Sequence, residues 1–283
     1  MKYFYVTFWM LFFAHAAHPL TVEEFEPDKT MIYKTVDETE LRLHLFFPPD
    51  HKASDKSPAI VFFFGGGWKG GSPSQFYPHC EYLASRGMVA MAAEYRVASR
   101  NQTSPMECIK DAKSAIRWIR ENARELGVDP DAVLAGGGSA GGHMAAAAGT
   151  NTAFEEEGEN LSVSSSPQAL VLFNPVFDNG PNGYGYSRVK DYWREFSPMH
   201  NISNTTPPTI VFLGTEDHLI PVETAQEYKR LMENEGGRCE LYLYEGEGHG
   251  FFNYQKQAMY TETLLEVDRF LSSLGYLQGE PTL

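Results

Sequence analysis

At 283 residues, with 42% hydrophobic and 21% charged side chains, the chain can form one large domain with a sizeable core or two small ones. A formal net charge of −14 and the lack of any basic run argue against nucleic acid or an anionic membrane surface as a partner. Cys80, Cys108 and Cys239 are too few and too scattered for a disulfide framework or a metal site. One pair could be bridged, but the expectation is three small buried hydrophobes.

Residues 1–17 read as a signal peptide. Lys2 precedes an apolar run from Tyr3 to Phe13, and Ala14-His15-Ala16 supplies the small residues of a cleavage site after Ala16 or Ala17. The run is shorter than the ~20 residues of a membrane span, so the expected destination is secreted or periplasmic. Residues 18–30 read as a polar lead-in, 31–275 as the folded domain and 276–283 as a tail.

Met31 to Val36 and Leu41 to Phe47 read as an antiparallel pair, because Leu41, Leu43 and Leu45 alternate with Arg42, His44 and Phe46. The next strands differ in character. Ala59–Phe64, Met88–Ala93, Ala132–Ala135, Ala169–Phe173 and Thr209–Leu213 are continuous apolar runs, as strands covered on both faces should be. Glu240–Tyr244 is the last. Helices fall between them: Pro78–Ser85, a long one opened by Ser104-Pro105 and stopped by Gly127, one after Ser139, Val222–Glu235, and a final one carrying Tyr260, Leu264, Val267, Leu271 and Leu274. Strands alternating with helices predict an α/β fold: a mostly parallel, doubly wound sheet with helices on both faces and an antiparallel N-terminal edge.

Two stretches break the rhythm. Residues 151–167 are acidic, Ser-rich and aperiodic, and read as a surface loop. Residues 178–208 carry Tyr184, Tyr186, Tyr192, Trp193 and Phe196; their aromatics read equally as a substrate platform or as a satellite cluster packed under the loop. Tyr184, Tyr186, Trp193 and Trp68 are the candidate substrate-lining residues. Four Asn-x-Ser/Thr triplets, at Asn101, Asn160, Asn201 and Asn204, matter only in a glycosylating host.

The chemistry centres on Gly137-Gly-Ser139-Ala-Gly141, between an apolar strand and an Ala-rich helix. A strand breaking into a helix at G-x-S-x-G presents the serine hydroxyl at the tip of a tight turn and aims the next N–H, that of Ala140, at whatever the serine attacks. A tightly packed Gly/Ala turn is the bland alternative. A serine nucleophile needs a base, and the base needs an orienting carboxylate. Asp217 follows the strand ending at Leu213, and His249 follows the strand ending at Tyr244. Glu216 and Asp178 are the rival acids, and eight other histidines lie in less suitable places. Gly65-Gly66-Gly67, directly after its strand, offers bare backbone as the second half of an oxyanion hole with Ala140. The order Ser139, Asp217, His249 is not that of chymotrypsin-like or subtilisin-like enzymes but the one that accompanies a serine elbow.

On Phe63–Ser72, Ala93-Glu-Tyr-Arg96, Gly137–Gly142, Gly214–Asp217 and Gly248–Phe252, the chain resembles α/β-hydrolase esterases, and among them the BD-FAE-like (acetylxylan/feruloyl) esterases of hemicellulose. The resemblance spans about residues 31–275. It implies a serine ester hydrolase with no metal or organic cofactor, removing short acyl groups from a plant glycan or another small ester. One departure stands out: Phe64 occupies the position of a histidine common in these esterases, so the glycine turn is expected to lack its usual brace. A prolyl-oligopeptidase-type peptidase shares the triad order but needs a propeller domain for which the chain has no room. A non-catalytic binding protein on the same scaffold predicts a broken triad, whereas all three residues are present.

Overall fold

The computed structural model describes residues 25–151 and 153–283; the signal-peptide reading falls on 1–17 and so lies outside the described residues. Eight strands form a single sheet in the order β1-β2-β4-β3-β5-β6-β7-β8. They are β1 Lys29–Val36, β2 Thr39–Phe46, β3 Ser57–Phe63, β4 Val89–Ala93, β5 Val128–Gly138, β6 Leu170–Phe173, β7 Thr209–Gly214 and β8 Cys239–Tyr244. β1 pairs antiparallel with β2, and β2 antiparallel with β4. From β4 onward every pairing is parallel. The alternating Leu41, Leu43 and Leu45 on β2 thus mark an antiparallel edge, and the continuous apolar runs mark the interior strands.

Both faces of the sheet are covered, and the pleat sends alternate side chains to opposite layers. Ala59, Val61 and Phe63 of β3 join one apolar cluster, while Ile60 and Phe62 join the other. The first layer is closed by helices α3 (Pro105–Glu121), α5 (Ala140–Thr150) and α8 (Val222–Asn234). The second is closed by α1 (Tyr77–Ser85) and α9 (Gln257–Ser273). All three cysteines are free and buried, as small core residues.

α3 begins where its sequence dictates. Ser104 caps it, Pro105 occupies the first turn, and the Ser104 N–H donates to Glu107 Oε2 at 3.0 Å. The helix ends sooner than its periodicity predicts. Asn122 turns its side-chain amide back onto Trp118 O at 2.8 Å, and the chain resumes as a separate turn, α4 (Ala123–Leu126).

The acidic stretch 151–167 is held down rather than loose. Asp111 of α3, fully buried, accepts from Arg96 Nε and Nη2 and pairs with Lys34 Nζ at 2.8 Å. Glu156 joins this centre through Lys34 and Arg96, and Glu155 bridges Lys113 and Arg117, at 2.7 Å each. Burial opposes ionisation of Glu155 and Glu156, but the hydrogen bonds from these cations outweigh it and hold both carboxyls below the ordinary glutamate value. The tail is docked as well: Leu277 is buried, and Arg86 Nη2 donates to the carbonyls of Gln278 and Gly279.

Candidate active site

A cleft of ≈ 740 Å³ opens at the carboxyl ends of the strands, where open α/β sheets bind ligands. Gly65, Gly66, Gly67, Ser139, Tyr184 and His249 all line it. Ser139 joins β5 to α5 with φ 53° and ψ −117°, a strained conformation for a residue with a Cβ. Crowding enforces the turn. A Cβ on Gly141 would lie 1.9 Å from Phe63 O and 2.5 Å from Phe64 O, so α5 can start against β3 only with glycine there. Ala140 is the first helical residue, and its N–H therefore has no acceptor within the helix.

Asp217 and His249, from the loops after β7 and β8, meet as a pair. His249 Nδ1 lies 2.7 Å from Asp217 Oδ2. A carboxylate only accepts, so Nδ1 carries the proton and Nε2 presents a lone pair. Asp217 Oδ1 accepts from the N–H groups of Leu219 (2.8 Å) and Ile220 (3.0 Å). Burial pushes the Asp217 carboxyl up; the His249 hydrogen bond and the two backbone donors more than offset this and hold it below the ordinary aspartate value. Of the rival acids, Glu216 contributes its backbone N–H to Glu247 O, and Asp178 Oδ1 is taken by the Gly180 N–H. Neither competes for His249. The neighbouring buried histidine His143 is lowered to about 3 by burial, and its Nε2 faces Phe196 O at 3.0 Å. It is a packing residue.

The glycine turn needs correction at one position. Gly65 N–H donates to Gln75 Oε1 at 2.7 Å and is thus already engaged, which leaves Gly66 and Gly67 as the candidate oxyanion donors of that turn. At Gly66, φ is +128° and a Cβ would fall 2.2 Å from Gly70 O. The turn is also not left slack by Phe64. Phe64 is buried and stacks on Tyr95 with centroids 4.1 Å apart, and Tyr95 Oη donates to Phe64 O at 2.7 Å. Arg188 Nη1 donates to Gly67 O at 2.6 Å. The carbonyls are pinned, so the histidine's bracing role is filled by other groups.

The aromatic candidates separate. Tyr184 lines the cleft. Trp68 is 1% exposed, packed edge-on against His143 and Phe196, and serves as the anchor of the glycine turn rather than a surface for substrate. Trp193 packs against the core and stacks under Arg194, and Tyr186 opens a short helix, α6 (Tyr186–Val189); neither lines the cleft. The 178–208 segment is thus mostly a satellite cluster with one residue, Tyr184, reaching the site.

Among the lining residues that sequence reasoning missed, three carry side-chain amides bonded to the glycine turn or the His249 loop: Gln75, Asn174 and Asn253. Asn174 directly follows β6, at the same strand end that singles out Asp217 and His249, so position alone could have flagged it. Its φ is +35°, it is buried, and its Nδ2 lies 3.3 Å from His249 Nε2. That amide, and not the Ser139 hydroxyl, is the hydrogen-bond neighbour of Nε2 in this conformation. Gln75 and Asn253 carried no signal, because their roles depend on contacts between segments 178 residues apart. Among the described residues, no group of three or more His, Cys, Asp or Glu is placed to hold a metal ion.

An eight-stranded, mostly parallel sheet with a serine elbow and an Asp–His pair at its carboxyl edge defines an α/β-hydrolase. Comparison with known proteins agrees. The BD-FAE family model matches residues 43–180, and that of the dienelactone hydrolase family matches residues 184–268. The apo form of Thermogutta terrifontis esterase 2 is 45% identical, with a TM-score of 0.87 over 91% of this chain and 98% of that one. Other structures of that esterase hold propionate or butyrate, or are phosphonylated by sarin. A probable isoprenylcysteine alpha-carbonyl methylesterase of Arabidopsis thaliana is 28% identical, over 75% of this chain and 49% of its own length. An acetylxylan esterase of Xylanibacter ruminicola is 27% identical, over 71% and 43% respectively. The chain spans about half the length of the curated relatives it matches. The chain belongs to the α/β-hydrolase esterases.

Proposed function

We propose that this protein is a serine carboxylic ester hydrolase that removes short acyl groups, acetyl foremost, from plant cell-wall glycans or oligosaccharides after export from the cell. The observation that carries the reading is the Asp217–His249 pair, 2.7 Å apart, whose histidine lines one cleft with a strained Ser139. Ser139 Oγ attacks the ester carbonyl carbon as His249 Nε2 takes its proton, and Asp217 holds the ring in the tautomer that leaves Nε2 free. The carbonyl oxygen, now an oxyanion, accepts from the N–H groups of Ala140, Gly66 and Gly67. His249 then gives the proton to the leaving alkoxide as the C–O bond breaks. Water repeats the sequence on the acyl-enzyme and frees the carboxylic acid.

The short acyl group is supported by the propionate and butyrate complexes of Thermogutta esterase 2, and the glycan by the BD-FAE match and the Xylanibacter acetylxylan esterase. Export rests on the Lys2–Ala17 pattern. The test is acetate release from acetylated xylan, acetylated xyloglucan and p-nitrophenyl acetate, measured side by side. Release from at least one glycan is expected. Hydrolysis of the small ester alone would remove the glycan and leave a general carboxylesterase.

A further inference from the structure

The two halves of the proposed machinery sit far apart in the sheet. The glycine turn follows β3 and His249 follows β8, four strand positions away, or roughly 19 Å at ~4.8 Å per step. No strand ladder couples them directly. Side-chain amides do. Gly65 N–H donates to Gln75 Oε1 (2.7 Å), Gln75 Nε2 to Asn253 Oδ1 (2.9 Å), and Asn253 Nδ2 to Gly250 O (2.7 Å). The same glycine, next to His249, donates its N–H to Asn174 Oδ1 at 3.1 Å, which leaves Asn174 Nδ2 facing His249 Nε2. Backbone N–H groups at Gly65 and Gly250 fix which end of Gln75 and Asn174 is oxygen. A backbone carbonyl fixes Asn253, so the whole chain of bonds has one consistent direction.

We propose that Gln75, Asn253 and Asn174 form a positioning relay that sets the distance between the glycine turn and the His249 ring. The inference rests on the ester-hydrolase reading and adds three positioning residues to it. A relay of this kind acts on the transition state, where turn and ring must be in place together, and leaves ground-state binding almost untouched.

The test uses Gln75→Met, Asn253→Leu and the double variant, each checked by circular dichroism. Two rates are read: kcat and KM for p-nitrophenyl acetate, and phosphonylation of Ser139 by a fluorophosphonate. In the second, an Oγ–P bond forms, the P–F bond breaks, fluoride leaves, and the serine proton passes to His249. Each single variant is expected to lower kcat and the phosphonylation rate roughly 10- to 100-fold with KM nearly constant, the scale of an ångström-level misplacement. The double variant should be scarcely worse than the poorer single one, because either break opens the same relay. Multiplicative losses, or unchanged kcat in both singles, overturn the proposal. Should Gln75→Met fail to fold, Asn253→Ala carries the same test, with a kcat loss at constant KM supporting the relay and wild-type kcat refuting it. A wild-type protein that phosphonylates yet hydrolyses no ester would defeat the ester reading, while the inactivation rates of the variants still decide the relay.

Discussion

Gly141→Ala gives the strictest trial of the elbow. The added Cβ would sit 1.9 Å from Phe63 O and 2.4 Å from Phe63 C, about 1.5 Å inside the 3.4 Å at which ordinary contact begins. Neither atom is the end of a flexible side chain. Both belong to β3, which is bonded on one side to β4 and on the other to β5. Relief therefore requires α5 and the end of β3 to separate by more than an ångström. Such overpacking costs about 1–3 kcal/mol of stability. It also moves Phe64 and the glycine turn away from Ser139, and a shift of that size lowers kcat by roughly 100-fold. Gly248→Ala is the matched control. It lies beside His249, but its Cβ would meet only Glu216 O at 3.7 Å, so stability and kcat should stay within about twofold of wild type. Thermal melts and p-nitrophenyl acetate kinetics on both variants measure the difference. Wild-type kcat and melting temperature in Gly141→Ala would refute the packing argument.

Two further outcomes concern the ion pairs beneath residues 151–167. Asp111→Ala removes the fully buried carboxylate that Lys34 and Arg96 share and leaves them only the partly exposed Glu156, which should cost about 3 kcal/mol in urea unfolding, the low end for breaking a buried pair; a loss below about 1 kcal/mol would show that the cluster is idle. The folded-state carboxyls of Glu155 and Glu156 lie below their ordinary value of 4.5, so the unfolded chain binds more protons through that window. Their stabilisation is full above pH 4.5 and is lost as pH falls through the lower folded values. Hydrogen-exchange protection factors in residues 153–165, taken relative to the intrinsic rate at each pH, should fall on acidification, and Glu155→Gln/Glu156→Gln should remove that pH dependence. An unchanged pH dependence in the double variant would contradict the assignment.

Much of this was legible because it is written in local pattern. The apolar runs ending at Phe64, Leu213 and Tyr244 locate the carboxyl edge of a parallel sheet, and the residues just beyond each run are the glycine turn, Asp217 and His249. What escaped depends on contacts that local pattern does not encode. Trp68 reads as a candidate substrate-lining residue, yet its backbone, at φ +59°, goes with a ring held in the core beside His143. Gly65 reads as a donor like its neighbours until Gln75, ten residues on, claims its N–H. Residues 151–167 look solvated in isolation. Their partners, Lys110, Lys113 and Arg117, lie at three- and four-residue steps on α3, and only the fold joins the two. At Gly248, beside His249, the structure has room for a side chain, and the positive φ of this loop falls on Gly250.

The most direct measurement is the rate of p-nitrophenyl acetate hydrolysis by Ser139→Ala, with circular dichroism and a thermal melt to verify the fold. Ser139 is held in a strained turn that neither its neighbours nor the core requires a hydroxyl to maintain, so the variant should fold. Its kcat should fall by roughly 10⁶-fold, as expected when a nucleophile is removed from a working triad. A folded Ser139→Ala that hydrolyses the ester at the wild-type rate would contradict the account.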